Sequence, residues 1–244
     1  FGKFNYAYNQ YPGYATDPGW EDALFRTGQK LEAKVNISGG SEKTTYYTSF
    51  GYLRDQGYYI GSDYSRFSSR VNVSHEAKKW LKGSLNMNYS YSTFDNPGQS
   101  GTAMNNGFLY VNSCPAIYPV FLRDENGNTY TGPRTGLLAY DYGDGLNRPF
   151  GFGINPAGSL RLDKERYVQH TVNVQGGLEL KLHKDLKLMV DAGVHYNNSL
   201  GSQLTNKYYG DAAGIGRILQ QSYNTLTIAA KELLEYNTTI DDHS

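Results

Sequence analysis

From Val168 to Asn197 the chain keeps a two-residue period, broken once at His183-Lys184-Asp185. Val168, Val172, Val174, Leu178, Leu180 and Leu182 share one register, as do Leu186, Leu188, Val190, Ala192, Val194 and Tyr196 beyond the break. Gln169, Thr171, Asn173, Gln175, Glu179 and Lys181, then Lys187, Met189, Asp191, Gly193, His195 and Asn197, take the other. A period of two puts alternate side chains on opposite faces, so these are two strands joined by a tight turn. A second hairpin, read around "HEAKK", sets Val71, Val73, Leu81, Gly83, Leu85, Met87, Tyr89 and Tyr91 against Asn72, Ser74, Lys82, Ser84, Asn86, Asn88, Ser90 and Ser92. Its polar face is mostly small and uncharged, unlike the Lys- and Glu-rich face of a water-soluble sheet.

The remaining strands follow the same rule. Leu31, Ala33, Val35 and Ile37 alternate with polar neighbours, and "SGGSEK" turns the chain into "TTYYTSFGYL", which is β-branched and aromatic. The third strand runs from Tyr64 to about Ser74 and the fourth from Trp80 to Phe94. A final strand covers "NTLTIAAKELLEYNTTI": the segment "AAKELLE" favours helix, but Leu226, Ile228, Ala230, Leu234, Tyr236 and Ile240 keep one two-fold register. Phe1 to Gly28 reads as loop, with one helical turn at Trp20–Phe25.

The connections constrain the fold further. The short turns "SGGSEK", "HEAKK" and "HKD" alternate with longer connections: "RDQGYYIGSD", then Asp95 to Glu165, then Asn198 to Gln221. In an up-and-down sheet alternate connections lie at opposite ends, so every short turn falls at one end and every long loop at the other. Transmembrane β-barrels of the outer-membrane type have this asymmetry. The fold expected is therefore all-β: about seven antiparallel strands of a transmembrane barrel, the apolar register toward lipid and the polar register toward a wet lumen or a plug. Trp80, Tyr89, Tyr91 and Phe94 lie near strand ends, where membrane barrels carry aromatic girdles. The alternative is a soluble carbohydrate-binding β-sandwich with one face buried in a core. The long loop carries one small hairpin of its own, "VFLRDENGNTYTG", turning at Asn126-Gly127.

Composition agrees. No apolar run is long enough for a spanning helix, but a spanning strand needs only about 9–11 residues with every second one apolar. The 23 basic and 23 acidic residues cancel, so no net field recommends nucleic acid as a partner. Cys114 is the only cysteine, which excludes an internal disulfide; a position buried in the long loop is expected for it. The start at Phe1, without Met or a signal peptide, reads as a fragment of a longer protein.

No enzyme constellation is visible. His75, His183 and His243 fall in expected turns, His170 and His195 stand isolated in strands, and no His/Glu pair has zinc spacing. "RDENGN" has its glycine in the wrong place for a calcium loop, and "GDGLNRPFGFG" neither follows a strand nor opens a helix. No cofactor is expected; a small enzyme barrel ranks below the sandwich. Ligand binding is the chemistry left. Tyr110, Asn112, Tyr140, Asp141, Tyr142, Asp144 and Asn147 in the long loop supply aromatic faces for sugar rings, and carboxylates and amides for hydroxyls. The competing role for these residues is loop packing or contact with a lid protein.

The run "EDALFRTGQKLEAKVNISGGSEKTTYYTSFGYLRDQGYY" resembles the barrel start of SusC/RagA-type TonB-linked outer-membrane receptors. The elements that carry the resemblance are Trp20-Glu21-Asp22, Phe25-Arg26-Thr27-Gly28, Asn36 to Ser41, Thr45-Tyr46-Tyr47 and Gly51-Tyr52. "RFSSRVNVSHEAKKWLKGSLNMNYSYS", "IYPVF", "INPAG" and "LLEYNTTI" are similar to later stretches of such barrels. The resemblance implies a barrel of about 22 strands around an N-terminal plug. It implies import of glycans or peptides, energised by the TonB complex, beneath a SusD-like lipoprotein. Residues 1–244 would then be part of that barrel domain, without the plug and remaining strands, in the outer membrane of a Gram-negative bacterium. Open sheet edges are not tolerated in lipid, so these strands need the rest of the barrel to transport anything. Oligosaccharide is the expected cargo, with peptide as the alternative.

Overall fold

The computed structural model describes residues 19–97, 106–115, 118–143 and 153–238. Seven strands form one antiparallel sheet in sequence order: β1 (Gln29–Gly40), β2 (Thr44–Gln56), β3 (Asp63–Lys78), β4 (Leu81–Asp95), β5 (Lys164–His183), β6 (Leu186–Thr205) and β7 (Arg217–Tyr236). This is the up-and-down order expected. The short turns 41–43, 79–80 and 184–185 lie at one end; 57–62, 96–163 and 206–216 lie at the other.

Several strand boundaries differ from the sequence reading; β2 runs on to Gln56, and β7 ends at Tyr236 where the strand is expected to reach Ile240. β3 runs to Lys78, so His75 sits in the strand, accepting or donating at Thr44 Oγ1 (2.7 Å), and the turn is only Lys79-Trp80. His183 closes β5 instead of lying in a turn. β6 continues to Thr205 and β7 begins at Arg217, which shortens the connection expected from Asn198 to Gln221 to residues 206–216. The reason is common to the ends that run longer. Backbone ladders persist where both faces are polar, and there the alternation that marks a strand has vanished.

Strand pairing keeps the two registers separate across the whole sheet. One row joins Ile37, Thr48, Val71, Met87, Val174, Val194 and Ile228. The next row on the other face joins Asn36, Ser49, Arg70, Asn88, Asn173, His195 and Thr227. Exposure is inverted relative to a soluble sheet. Leu85 and Met87 are exposed while their neighbours Asn86 and Asn88 are half-buried, and β6 repeats this with Val194 and Tyr196 against His195 and Asn197. Val35 is 63 % exposed and Ile228 71 %. Among the described residues nothing covers this apolar face.

The apolar band is slanted. On β1 it is centred at the level of Lys34, whose row passes through Gly51, Ser68, Ser90, Thr171 and Asn197 to Thr225. On β7 it is centred near Ala230, about five residues closer to the short turns. At about 3.3 Å per residue and about 4.8 Å between strands, the band drifts about 17 Å over about 29 Å of sheet, a slant of about 30°.

The packed core lies at the loop end. Helix α1 (Gly19–Leu24) contributes Trp20 and Leu24, helix α2 (Gly107–Ser113) Tyr110, and helix α3 (Pro156–Leu162) Ala157; Tyr59 and Val120 complete the cluster. Cys114 caps α2 and is half-buried against that cluster. The small loop hairpin is present, with Arg123 bridged to Thr129 and Gly127 at φ 82°.

Candidate functional site

The loop end is held together by contacts between distant segments. Trp20 donates its indole N–H to the carbonyl of Tyr118 at 2.9 Å and meets Tyr110 edge-on at 4.8 Å. Asn155 is the N-cap of α3. Its Oδ1 accepts from Gly158 N (2.9 Å), and its Nδ2 donates to the carbonyls of Val120 (2.8 Å) and Asp141 (3.1 Å). One buried side chain thus pins a helix start to two strands of loop. The connection between β6 and β7 is tied in twice. Asp163 Oδ1 accepts from both the backbone N and Nδ2 of Asn206 at 2.7 Å, and Tyr142 stacks on Tyr209 at 4.0 Å with the rings 7° from parallel.

The residues expected to face a ligand are placed as follows. Tyr110 is fully buried, and its hydroxyl points at the carbonyl of Ile154 (3.5 Å). Asp141 is buried and accepts from Gly143 N at 2.7 Å. Tyr142 is buried against Tyr209, and burial pushes its hydroxyl pKa well above the usual value. Tyr140 is half-buried on Phe121 (5.1 Å); burial raises its pKa, with Arg161 partly offsetting it. Asn112 is exposed and donates back to the carbonyl of Phe108 (2.8 Å). The structure therefore brings Tyr110, Asp141 and Tyr142 into the loop's own packing, around Asn155. Asp144 and Asn147 lie outside the described residues.

A cleft of about 790 Å³ opens beside this packing, between α3 and the loop ends of β4 to β7. Asp95, Asp163, Lys164, Glu165, Arg166 and Arg217 line it together with Asn96, Gln203 and Thr205. Arg166 and Asp95 form a two-armed ion pair (2.6 and 2.9 Å), which raises the Arg166 pKa. Glu165 accepts from the Tyr167 hydroxyl (2.7 Å) and Asn96 (3.3 Å). A volume of this size fits a small-molecule ligand. The sequence reading missed these residues; its signal is the charged run Asp163-Lys164-Glu165-Arg166, set where a strand leaves a long loop.

The polar face of the sheet forms a second surface. Arg70 donates to Asn88 (2.6 Å), His195 pairs with Asn173 (2.6 Å), and Gln169 and Thr171 both donate to Asn197 (2.9 and 3.1 Å). Near the short turns Lys187 lies between Glu179 (3.9 Å) and Glu235 (3.8 Å). Cross-strand side-chain hydrogen bonds therefore run along this face. On the reverse side of the sheet Tyr52, Phe67, Tyr91 and His170 share one row toward the loops, and the Tyr89 hydroxyl meets His170 Nδ1 at 3.0 Å.

No family model matches the chain. It is 24 % identical over 257 residues to TonB-dependent receptor P3 of Formosa agariphila, a match covering all of this chain and 23 % of that receptor. It is 26 % identical over 229 residues to TonB-dependent receptor SusC of Bacteroides thetaiotaomicron, covering 84 % of this chain and 21 % of SusC. Among solved structures, the RagAB peptide importer in its closed-closed state superposes with a TM-score of 0.69 at 24 % identity, covering 92 % of this chain and 24 % of the matched chain. The open-open state gives a TM-score of 0.70 at 22 % identity. The chain spans under a quarter of the length of each of these relatives. In sequence and in fold alike, it matches a barrel segment of the SusC/RagA-type TonB-dependent receptors.

Proposed function

We propose that this chain is wall and outer loops of an outer-membrane, TonB-dependent nutrient importer, and that all of residues 1–244 belong to its barrel domain. The observation that carries the reading is the uncovered apolar face. A contiguous exposed apolar surface across seven strands is not sustainable in water. Its slant supports the same reading. Strands tilted by the same angle of about 30° turn the slanted band into a level belt, near the tilt of about 35–45° found in membrane barrels. On β4 the band runs from Leu81 to Tyr91, about 33 Å along the strand and about 28 Å in height at that tilt, close to the apolar thickness of a bilayer.

In this reading the short turns face the periplasm, the loop end faces outward, and the polar face lines a lumen holding the plug. The TonB complex acts through that plug, and a SusD-like lipoprotein covers the loops; the name SusC and the description of RagAB as an importer support both partners. Oligosaccharide is the cargo we favour, on the tyrosines that the loops leave open, Tyr58 and Tyr130 with the half-buried Tyr140 and Tyr208. Peptide is the second reading, supported by the likeness to the RagAB peptide importer. The cleft between α3 and β4–β7 is the proposed contact region. Nothing in this reading calls for bond-breaking chemistry, so the role proposed is transport and not catalysis. Epitope insertions in the full-length receptor test the sidedness. Insertions at Gly40 and Lys184 stay unlabelled on intact cells while one at Gly127 is labelled. Reversed labelling refutes the orientation, and equal labelling refutes the membrane assignment.

A further inference from the structure

The connection between β6 and β7 carries a feature that the packing does not need. Two cations approach one aromatic ring from different loops: Arg134 from the connection between β4 and β5, its guanidinium carbon 5.9 Å from the Tyr208 ring centre, and Lys207, its Nζ 5.6 Å from the same point. Both are exposed. Neither has an acidic partner within ion-pair distance among the described residues. Like charges gathered on one ring repel, and the ring face compensates only part of that cost.

The scaffold beneath them is fixed. Asn206 is buried; its Oδ1 accepts from the backbone N–H of Tyr208 (2.8 Å) and Tyr209 (2.9 Å), and its own N–H groups are held by Asp163. Gly214 N closes the connection onto the Lys207 carbonyl at 2.8 Å. Tyr209, the next residue, stacks on Tyr142 and lines the cleft. Tyr208 and Lys207 are therefore held next to the cleft-lining Tyr209 by contacts that would exist without either charge, and Arg134 reaches the ring from a turn closed by the Gly136 N–H on the Gly132 carbonyl (3.0 Å).

We propose that Arg134 and Lys207, set on Tyr208, form an anion-binding site at the edge of the cleft, for a carboxylate carried on the imported substrate. The planar guanidinium matches a carboxylate with two parallel N–H donors, and the ammonium supplies a point charge from the second loop. A substrate held there bridges the two long loops and enters the cleft past Tyr209. The proposal rests on the importer reading for the identity of its ligand, whereas the binding itself is measurable without transport.

The test is titration calorimetry on the purified full-length receptor in detergent at low salt, with trigalacturonate, triglutamate peptide and neutral maltotriose as probes. Trigalacturonate is expected to bind more tightly than maltotriose. Arg134→Gln and Lys207→Gln each weaken it by about threefold and the double variant by about tenfold or more, with maltotriose unchanged. Arg134→Lys retains part of the affinity. Triglutamate showing the same losses upholds the site and assigns the carboxylate to a peptide. Binding of both acidic probes by the double variant within twofold of the parent, or no binding of either by the parent, overturns the proposal. Should the double variant fail to assemble, salt decides. Acidic-probe affinity in the parent falls severalfold as salt rises from about 50 to about 200 mM, and an unchanged affinity overturns the site. Binding without uptake of any probe would instead sink the importer reading and leave the site standing.

Discussion

Val194 and Leu200 lie on the same strand and the same face, and each is 40 % exposed. If the apolar face met water or a loosely covering protein, replacing either by Arg would cost about the same. If it meets lipid, depth decides. The apolar band on β6 runs from Leu186 to Leu200, so Val194 lies within one residue of its middle. Leu200 lies about seven residues away, roughly 23 Å along the strand and roughly 20 Å in height at a 30° tilt. That exceeds half the apolar thickness of about 25–30 Å. Val194→Arg is then expected to cost about 2–4 kcal/mol and Leu200→Arg about 0–1 kcal/mol. The larger figure corresponds to a shift of about 30- to 900-fold in the folding equilibrium. The assay is reversible folding of the full-length receptor into lipid vesicles under a denaturant gradient, scored by heat-modifiable migration. Equal costs at the two positions, at either magnitude, would refute the assignment of this face to lipid.

Two further predictions concern the loop end. Asn155→Ala strands the carbonyls of Val120 and Asp141 and uncaps α3, so it is expected to destabilise the loop by about 2–3 kcal/mol; limited proteolysis should nick the long loop while the barrel stays heat-modifiable. Tyr142 has a raised pKa, so the neutral hydroxyl is the form the fold favours. Its contribution is full below the unfolded pKa of about 10 and is lost as pH rises beyond it; loop proteolysis should therefore increase above that pH, and Tyr142→Phe should remove part of the increase.

Much of the sheet was legible in the sequence because a sheet with one apolar and one polar face imposes a strict two-residue pattern. Leu226 to Tyr236 kept its two-fold register through "AAKELLE", and the structure makes it strand in spite of local helix propensity. The strand ends were not legible. From Asn197 to Thr205 both faces of β6 are largely polar, with Leu200 and Leu204 the exceptions, as the strand reaches the edge of the apolar band, yet its ladder to β7 continues. The loop site was the least legible part. Tyr110 and Tyr142 look like open aromatic platforms until Trp20 and Tyr209, far off in sequence, are seen packed against them. Composition and spacing carry no trace of such pairings. The same holds for Arg134, which reaches the ring of Tyr208 from a different loop.

The central claim is that one face of this sheet meets lipid and the other meets water, and site-directed spin labels test it most directly. Labels placed singly at Leu85, Asn86, Met87 and Asn88 in the full-length receptor, reconstituted in bilayers, are scanned for collision with oxygen and with a water-soluble nickel chelate. The expected result alternates: oxygen dominates at 85 and 87, and nickel dominates at 86 and 88 wherever the plug leaves the lumen wet. Shielding of 85 and 87 from both reagents would mean that they lie in a protein core, and the membrane reading would fall.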